Sequence, residues 1–158
     1  MSRAGGSARA AAVAAVVLLA DQLTKALVRG NIDRGASVDV FPGVDLVNVR
    51  NSGIAFGLFS GTGPLLAVIV GAAMVLLIAV FVAHAHYTLA WLPGGLLLGG
   101  AFGNLIDRIR EGAVTDFIDL PSWPAFNLAD SAITVGVVAL LYVMEGPPRR
   151  RRQEAPHG

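Results

Sequence analysis

Residues 99–131 read GGAFGNLIDRIREGAVTDFIDLPSWPAFNLADS, which places four aspartates, two arginines, a glutamate and two asparagines between two hydrophobic segments. Residues 62–83, by contrast, hold no charged side chain. Charge beside lipid carries a desolvation penalty, so a charged cluster flanked by apolar segments marks a working surface. Two of its carboxylates, Asp116 and Asp130, have the chemistry needed to activate water against a peptide bond.

The rest of the chain agrees with a membrane setting. Its 158 residues are 54% hydrophobic and 15% charged, with a mean hydropathy of +0.65, and this reads as one integral membrane domain rather than a soluble one. The net charge of +1 hides basic ends, Arg3 and Arg9 at one and Arg149 to Arg152 at the other. Such ends suit cytoplasmic anchoring, and no nucleic-acid partner is expected. The absence of cysteine excludes a disulfide framework, a thiol nucleophile and a thiolate metal site.

Working outward, the hydrophobic pattern predicts an all-α four-transmembrane-helix bundle with a small β-rich extracytoplasmic lobe. The first span covers residues 9–28, with Asp21 and Lys25 spaced i, i+4 on one face near its far end. Residues 29–61 are short alternating stretches broken by Gly and Pro, which is strand-and-turn composition. Their backbone groups would go unpaired in lipid, so they form a lobe on the membrane surface between the first two spans. A second span follows at 62–83 and a third at 88–107, whose paired glycines predict close helix packing. Residues 108–125 form an outer loop, 126–145 the fourth span, and 146–158 a disordered basic tail. Six of the Lys and Arg residues lie in the two tails, so both termini are expected in the cytoplasm and the polar cluster at the outer face.

Pro121 and Pro124 lie between Asp116 and Asp130 and favour a chain reversal that brings the two carboxylates together. A close pair shares a proton, so that one member acts as base toward water and the other as acid. Spacing alone leaves Asp119 as a competitor for Asp116. Asn104 and Arg108 share a face near the end of the third helix, and Asn127 and Asp130 share one at the start of the fourth. Structural readings stand beside these: Asp107 with Arg108 or Arg110 makes an ordinary ion pair, and Asp130 suits a helix cap. His84 and His86 with a distant His157 make a poor metal set, and neither a metal nor another cofactor is expected. No nucleophile-elbow, H-E-x-x-H or phosphate-loop pattern occurs. Without further information a membrane carrier and a lipid-binding scaffold compete with the peptidase.

Five ordered motifs resolve that competition: DQLTK at 21–25, NSGIAFG at 51–57, GGAFGNLIDR at 99–108, VTDFID at 114–119 and PAFNLADSAI at 124–133. In this order, on a chain of this length, they resemble the bacterial lipoprotein signal peptidases, or signal peptidase II. The resemblance implies a membrane aspartic endopeptidase that cleaves prolipoproteins before a diacylglyceryl-modified cysteine. It places the catalytic pair on Asp116 and Asp130, selecting Asp116 over Asp119. Supporting polar residues fall on Asp21, Lys25, Asn51, Gly53, Asn104, Arg108 and Asn127, with Asp107 nearby. It also implies diacylglyceryl-modified prolipoproteins and membrane lipid as partners, a monomer, and a multi-pass location in the bacterial cytoplasmic membrane with the active site outside.

Overall fold

Helix α1 (Arg3–Asn31) begins earlier and ends later than the sequence pattern predicts, running through Gly5 and Gly6 at its start. The structure is a computed structural model, and it describes residues 3–52, 76, 79 and 89–145. The expected second span at 62–83, Gly53 and the basic tail at 146–158 lie outside the described residues, apart from Leu76 and Ala79. Three helices are therefore described where a four-helix bundle is expected. The other two are α2 (Trp91–Glu111) and α3 (Leu128–Glu145).

Polarity along α1 is inverted relative to a water-soluble helix. Val16, Leu19, Leu23 and Leu27 form an exposed apolar stripe, whereas Asp21 and Lys25 are both 0% exposed on the opposite face. Water would favour the reverse arrangement; lipid favours this one. Both α1, over Gly5–Asn31, and α3 are long and apolar enough to cross a membrane. Helix α2 does not meet that criterion. It packs against both α1 and α3, so much of its surface meets protein instead of lipid.

The paired glycines of α2 divide between these two neighbours. Gly95 lies against Val13 and the Ala10 carbonyl, and Gly99 against Val17 and the Ala14 carbonyl, so α1 and α2 run side by side in the same direction. Gly100 lies against Ala129, and Leu97 against Gly136, so α3 runs the opposite way. A Cβ at Gly99 would sit 2.7 Å from both the Ala14 carbonyl oxygen and Val17 Cβ, neither of which can move without displacing α1. Gly99→Ala is accordingly expected to lower stability by about 1–3 kcal/mol, the usual cost of overpacking, read as a lower melting temperature of the detergent-solubilised protein. An unchanged melting temperature would mean that the two helices do not approach this closely.

Four antiparallel strands form one sheet in the order β1-β2-β3-β4. Strands β1 (Ser37–Phe41) and β2 (Val44–Asn51) make a hairpin around Pro42 and Gly43, the latter at φ +81°, a conformation that glycine adopts without strain. Strands β3 (Val114–Leu120) and β4 (Trp123–Phe126) make a second hairpin around Pro121 and Ser122, with Ser122 at φ +62°. Pro124 is accommodated because β4 is an edge strand. This corrects the expectation of an outer loop at 108–125 and of a lobe lying wholly between the first two spans. Helix α2 continues to Glu111, Gly112 closes it in a left-handed cap with its N–H donated to the Arg108 carbonyl, and half of the sheet comes from the segment that follows. Val114, Thr115, Asp116 and Phe117 are all buried, so β3 lacks the alternation that marks a half-exposed strand.

Candidate active site

Asn127, the residue before α3, joins the two candidate carboxylates. Its side-chain oxygen accepts the Asp130 N–H at 2.9 Å, its own N–H is donated to Asp130 Oδ2 at 3.3 Å, and its carbonyl accepts the first helical bond from Ser131. This is a reciprocal capping arrangement, with Asp130 in the place usually taken by Glu. With its oxygen so engaged, the Asn127 amide can present only Nδ2 to the sheet, and Nδ2 donates to Asp116 Oδ1 at 2.7 Å. The capping reading and the pairing reading of Asp130 thus describe the same geometry.

Asp116 arrives on β3, and the pairing of β2 with β3 brings Asn51 to it, the Asn51 amide donating to Asp116 Oδ2 at 2.9 Å. Only 2% of Asp116 is exposed. Burial raises its carboxyl from 3.8 to about 6, assisted by the charge of Asp130, while the amides of Asn51 and Asn127 and the charge of Lys25 pull it back down. Asp116 therefore changes protonation close to neutral pH. Asp119, its competitor on spacing, is half-exposed and pairs across the strands with Asp45, away from this cluster.

Asp130 is held on its other side by Asn104 of α2, whose Nδ2 donates to Asp130 Oδ1 at 2.8 Å. The orientation of this amide is also fixed, because Lys25 Nζ donates to Asn104 Oδ1 at 2.8 Å. Lys25 in turn lies 2.9 Å from Asp21 and 3.1 Å from Asp107, forming a buried cluster shared by α1 and α2. Asp21 uses its other oxygen to accept the Ala129 N–H of α3, and Asp107 accepts the Thr115 N–H of β3. One lysine and two aspartates thereby tie three helices and the sheet together beneath the carboxylate pair. Arg108 donates to the Asn104 carbonyl at 3.2 Å and acts electrostatically on Asp130, Asp116 and Asp107, while its buried Nε has no partner among the described residues.

Nine of the ten sequence-predicted site residues converge here; the tenth, Gly53, lies outside the described residues. Sequence reasoning missed three contributors. Gln22 donates to Asp107 Oδ1 and to the Gly103 carbonyl, and Arg29 donates to Thr115 Oγ1 at 3.1 Å and stands 3.8 Å from Asp107. Gly103 leaves room for Asp21, whose Oδ2 would be 2.5 Å from a Cβ there. Asp21, Lys25 and Arg29 recur every four residues on α1, a signal that reached Lys25 and stopped one turn short of Arg29.

The chain matches the family model described as signal peptidase (SPase) II over residues 13–145. It is 40% identical over 153 residues to a lipoprotein signal peptidase of Burkholderia thailandensis, covering 90% of this chain and 92% of that one. It is 43% identical over 140 residues to a lipoprotein signal peptidase of Rhodopseudomonas palustris, covering 80% and 85% respectively. Among solved structures, a bacterial membrane enzyme determined by the in meso method at 2.3 Å superposes with a TM-score of 0.79 at 31% identity, covering 92% of this chain and 93% of that chain. A second, at 1.9 Å, gives a TM-score of 0.75 at 34% identity, covering 84% and 89%. With its buried polar cluster under a lipid-facing apolar exterior, and with a match that takes in every one of the nine converging residues, this membrane protein belongs to the signal peptidase II family.

Proposed function

We propose that this protein removes signal peptides from prolipoproteins by hydrolysing the peptide bond before a diacylglyceryl-modified cysteine, with Asp116 and Asp130 as the catalytic pair. The observation that carries this reading is the double engagement of Asn127, which donates to Asp116 and caps Asp130, so that a carboxylate from the sheet and one from a helix meet at a single fixed amide. The two carboxylates hold one proton between them. The ionised member takes a proton from water as the oxygen attacks the scissile carbonyl, and the protonated member donates to the carbonyl oxygen. Collapse of the tetrahedral species breaks the C–N bond as the leaving nitrogen is protonated. Asn51, Asn104 and Asn127 hold the carboxylates in register, and Lys25, Asp21 and Asp107 hold Asn104 and the sheet.

The setting fits a substrate that is itself anchored in lipid. A diacylated cysteine and an apolar signal helix stay in the bilayer, so the scissile bond reaches the enzyme at the interface and at high effective concentration. We read the chain as a monomeric four-span protein of the bacterial cytoplasmic membrane. Helices α1 and α2 run in the same direction, so the chain must recross the membrane between them, and residues 62–83 are long and apolar enough to do so. Both termini then lie in the cytoplasm, with the catalytic pair and the sheet at the outer face.

The deciding experiment incubates the purified full chain in detergent with a prolipoprotein bearing the diacylglyceryl group and with the same prolipoprotein lacking it. Cleavage before the modified cysteine, and only in the modified substrate, is the expected result. Intact, correctly lipidated substrate after incubation with folded protein would reject the peptidase reading and leave Asp130 as a residue to test for proton coupling.

A further inference from the structure

Behind the β2–β3 pair, on the face away from Asp116, lies a pocket that shares only Arg29 and Thr115 with the carboxylate site. Strand alternation places Arg50 and its cross-strand partner Thr115 on one face of the sheet, and Asn51 and Asp116 on the other. The end of α1 closes over the first face to leave a pocket of about 350 Å³, where Arg29 and Arg34 join Arg50, and Asp33 and Glu111 complete the charged lining. Arg29 is already engaged with Thr115 and Asp107. Among the described residues, no salt bridge ties Arg34 or Arg50 to a carboxylate, and none ties Asp33 or Glu111 to a cation. Two guanidinium groups and two carboxylates thus line one cavity with no contact ion pair among them.

Depth narrows the ligand. Helix α1 is apolar along Gly5–Asn31 and has Arg29 in its last turn, so the pocket opens where hydrocarbon gives way to headgroups. The abundant anion at that depth is a phosphodiester, and the planar donor fork of arginine matches its oxygens. We infer that this pocket binds a phospholipid headgroup, its phosphodiester against Arg34 and Arg50 and, in an amine-bearing lipid, its ammonium against Asp33 or Glu111. The diacylglyceryl group of the proposed substrate carries no phosphate, so this is a site for surrounding lipid and stands whether or not the hydrolytic reading does.

The test uses the full chain, purified in a phosphate-free glycoside detergent and examined by native mass spectrometry after addition of phosphatidylethanolamine, phosphatidylglycerol or diacylglycerol with the same tails. Both phospholipids are expected to be retained, phosphatidylethanolamine the more strongly, and both more strongly than diacylglycerol, which only the carboxylate site would hold and whose retention Arg34→Gln with Arg50→Gln leaves unchanged. Arg34→Gln with Arg50→Gln is expected to weaken retention on the order of twenty-fold, since each arginine near a lipid surface contributes about five-fold. Arg50→Lys, which keeps the charge and loses the fork, is expected to fall between, and it carries the test if the double variant melts early. Equal retention of diacylglycerol, or unchanged retention in both variants, would overturn the assignment. Inorganic phosphate that binds the protein while neither phospholipid does would make this a site for free anions and overturn the lipid reading.

Discussion

Asp116→Asn and Asp130→Asn proteins are each expected to lose at least about a thousand-fold in cleavage of the lipidated substrate while remaining folded, because an amide neither takes a proton from water nor gives one to the carbonyl. Asparagine is the informative replacement. It preserves shape, and at Asp130 it keeps one oxygen for the Asn127 N–H, so the start of α3 is retained. Asp116→Asn also carries an expectation for stability. The Asp116 carboxyl stands at about 6 in the folded protein and at 3.8 when unperturbed, so the folded state binds the proton more tightly. Its contribution to stability is then greatest below pH 4, falls as pH rises from about 4 to about 6, and is flat above. A neutral asparagine is exempt from that loss, so Asp116→Asn is expected to gain on the unmutated protein across this window. The gain is at most about 3 kcal/mol, less what the unmatched amide at Asn51 or Asn127 takes back. Melting curves at pH 4 and pH 8 measure it. Near-normal turnover in either variant would remove that residue from the catalytic pair.

What could be read in advance, and what could not, follows from how each signal is encoded. The i, i+4 spacing of Asp21 and Lys25, and of Asn104 and Arg108, survives into the structure because helical neighbours are fixed by the chain itself. The glycine pairs of α2 were legible as packing surface, but their division between α1 and α3 was not, since it depends on which helix lies on which side. Strand β3 was illegible as a strand because both of its faces are covered, which removes the period-two pattern. For the same reason the competition between Asp116 and Asp119 stayed open on spacing alone. What spacing does not encode is the register, which places Asn51 beside Asp116 and Asp45 opposite Asp119. Gln22 and Arg29 were passed over because their partners, Asp107 and Thr115, are more than eighty residues away along the chain.

Lys25→Met is expected to be the most destabilising single change in the described chain, by about 3–5 kcal/mol, the usual cost of breaking a buried ion pair from one side. The methionine fills the same space and leaves the buried Asp21 carboxyl with no cation in contact, whereas Asp107 still has Arg29 at 3.8 Å. Adding Asp21→Asn to Lys25→Met should therefore recover part of the loss, a coupling of roughly 0.5–3 kcal/mol that independent sites would not show. Catalysis should not recover in parallel. Lys25 Nζ holds the Asn104 oxygen and so turns the Asn104 amide toward Asp130; without that donor the amide is free to rotate. Melting temperature and cleavage rate, measured on the single and double variants, separate the two roles. Recovery of stability without recovery of turnover marks Lys25 as a positioning residue for Asp130. Recovery of both would reduce it to a counter-ion, and a single variant that melts like the unmutated protein would mean that the cluster beneath the carboxylates does not hold the helices together.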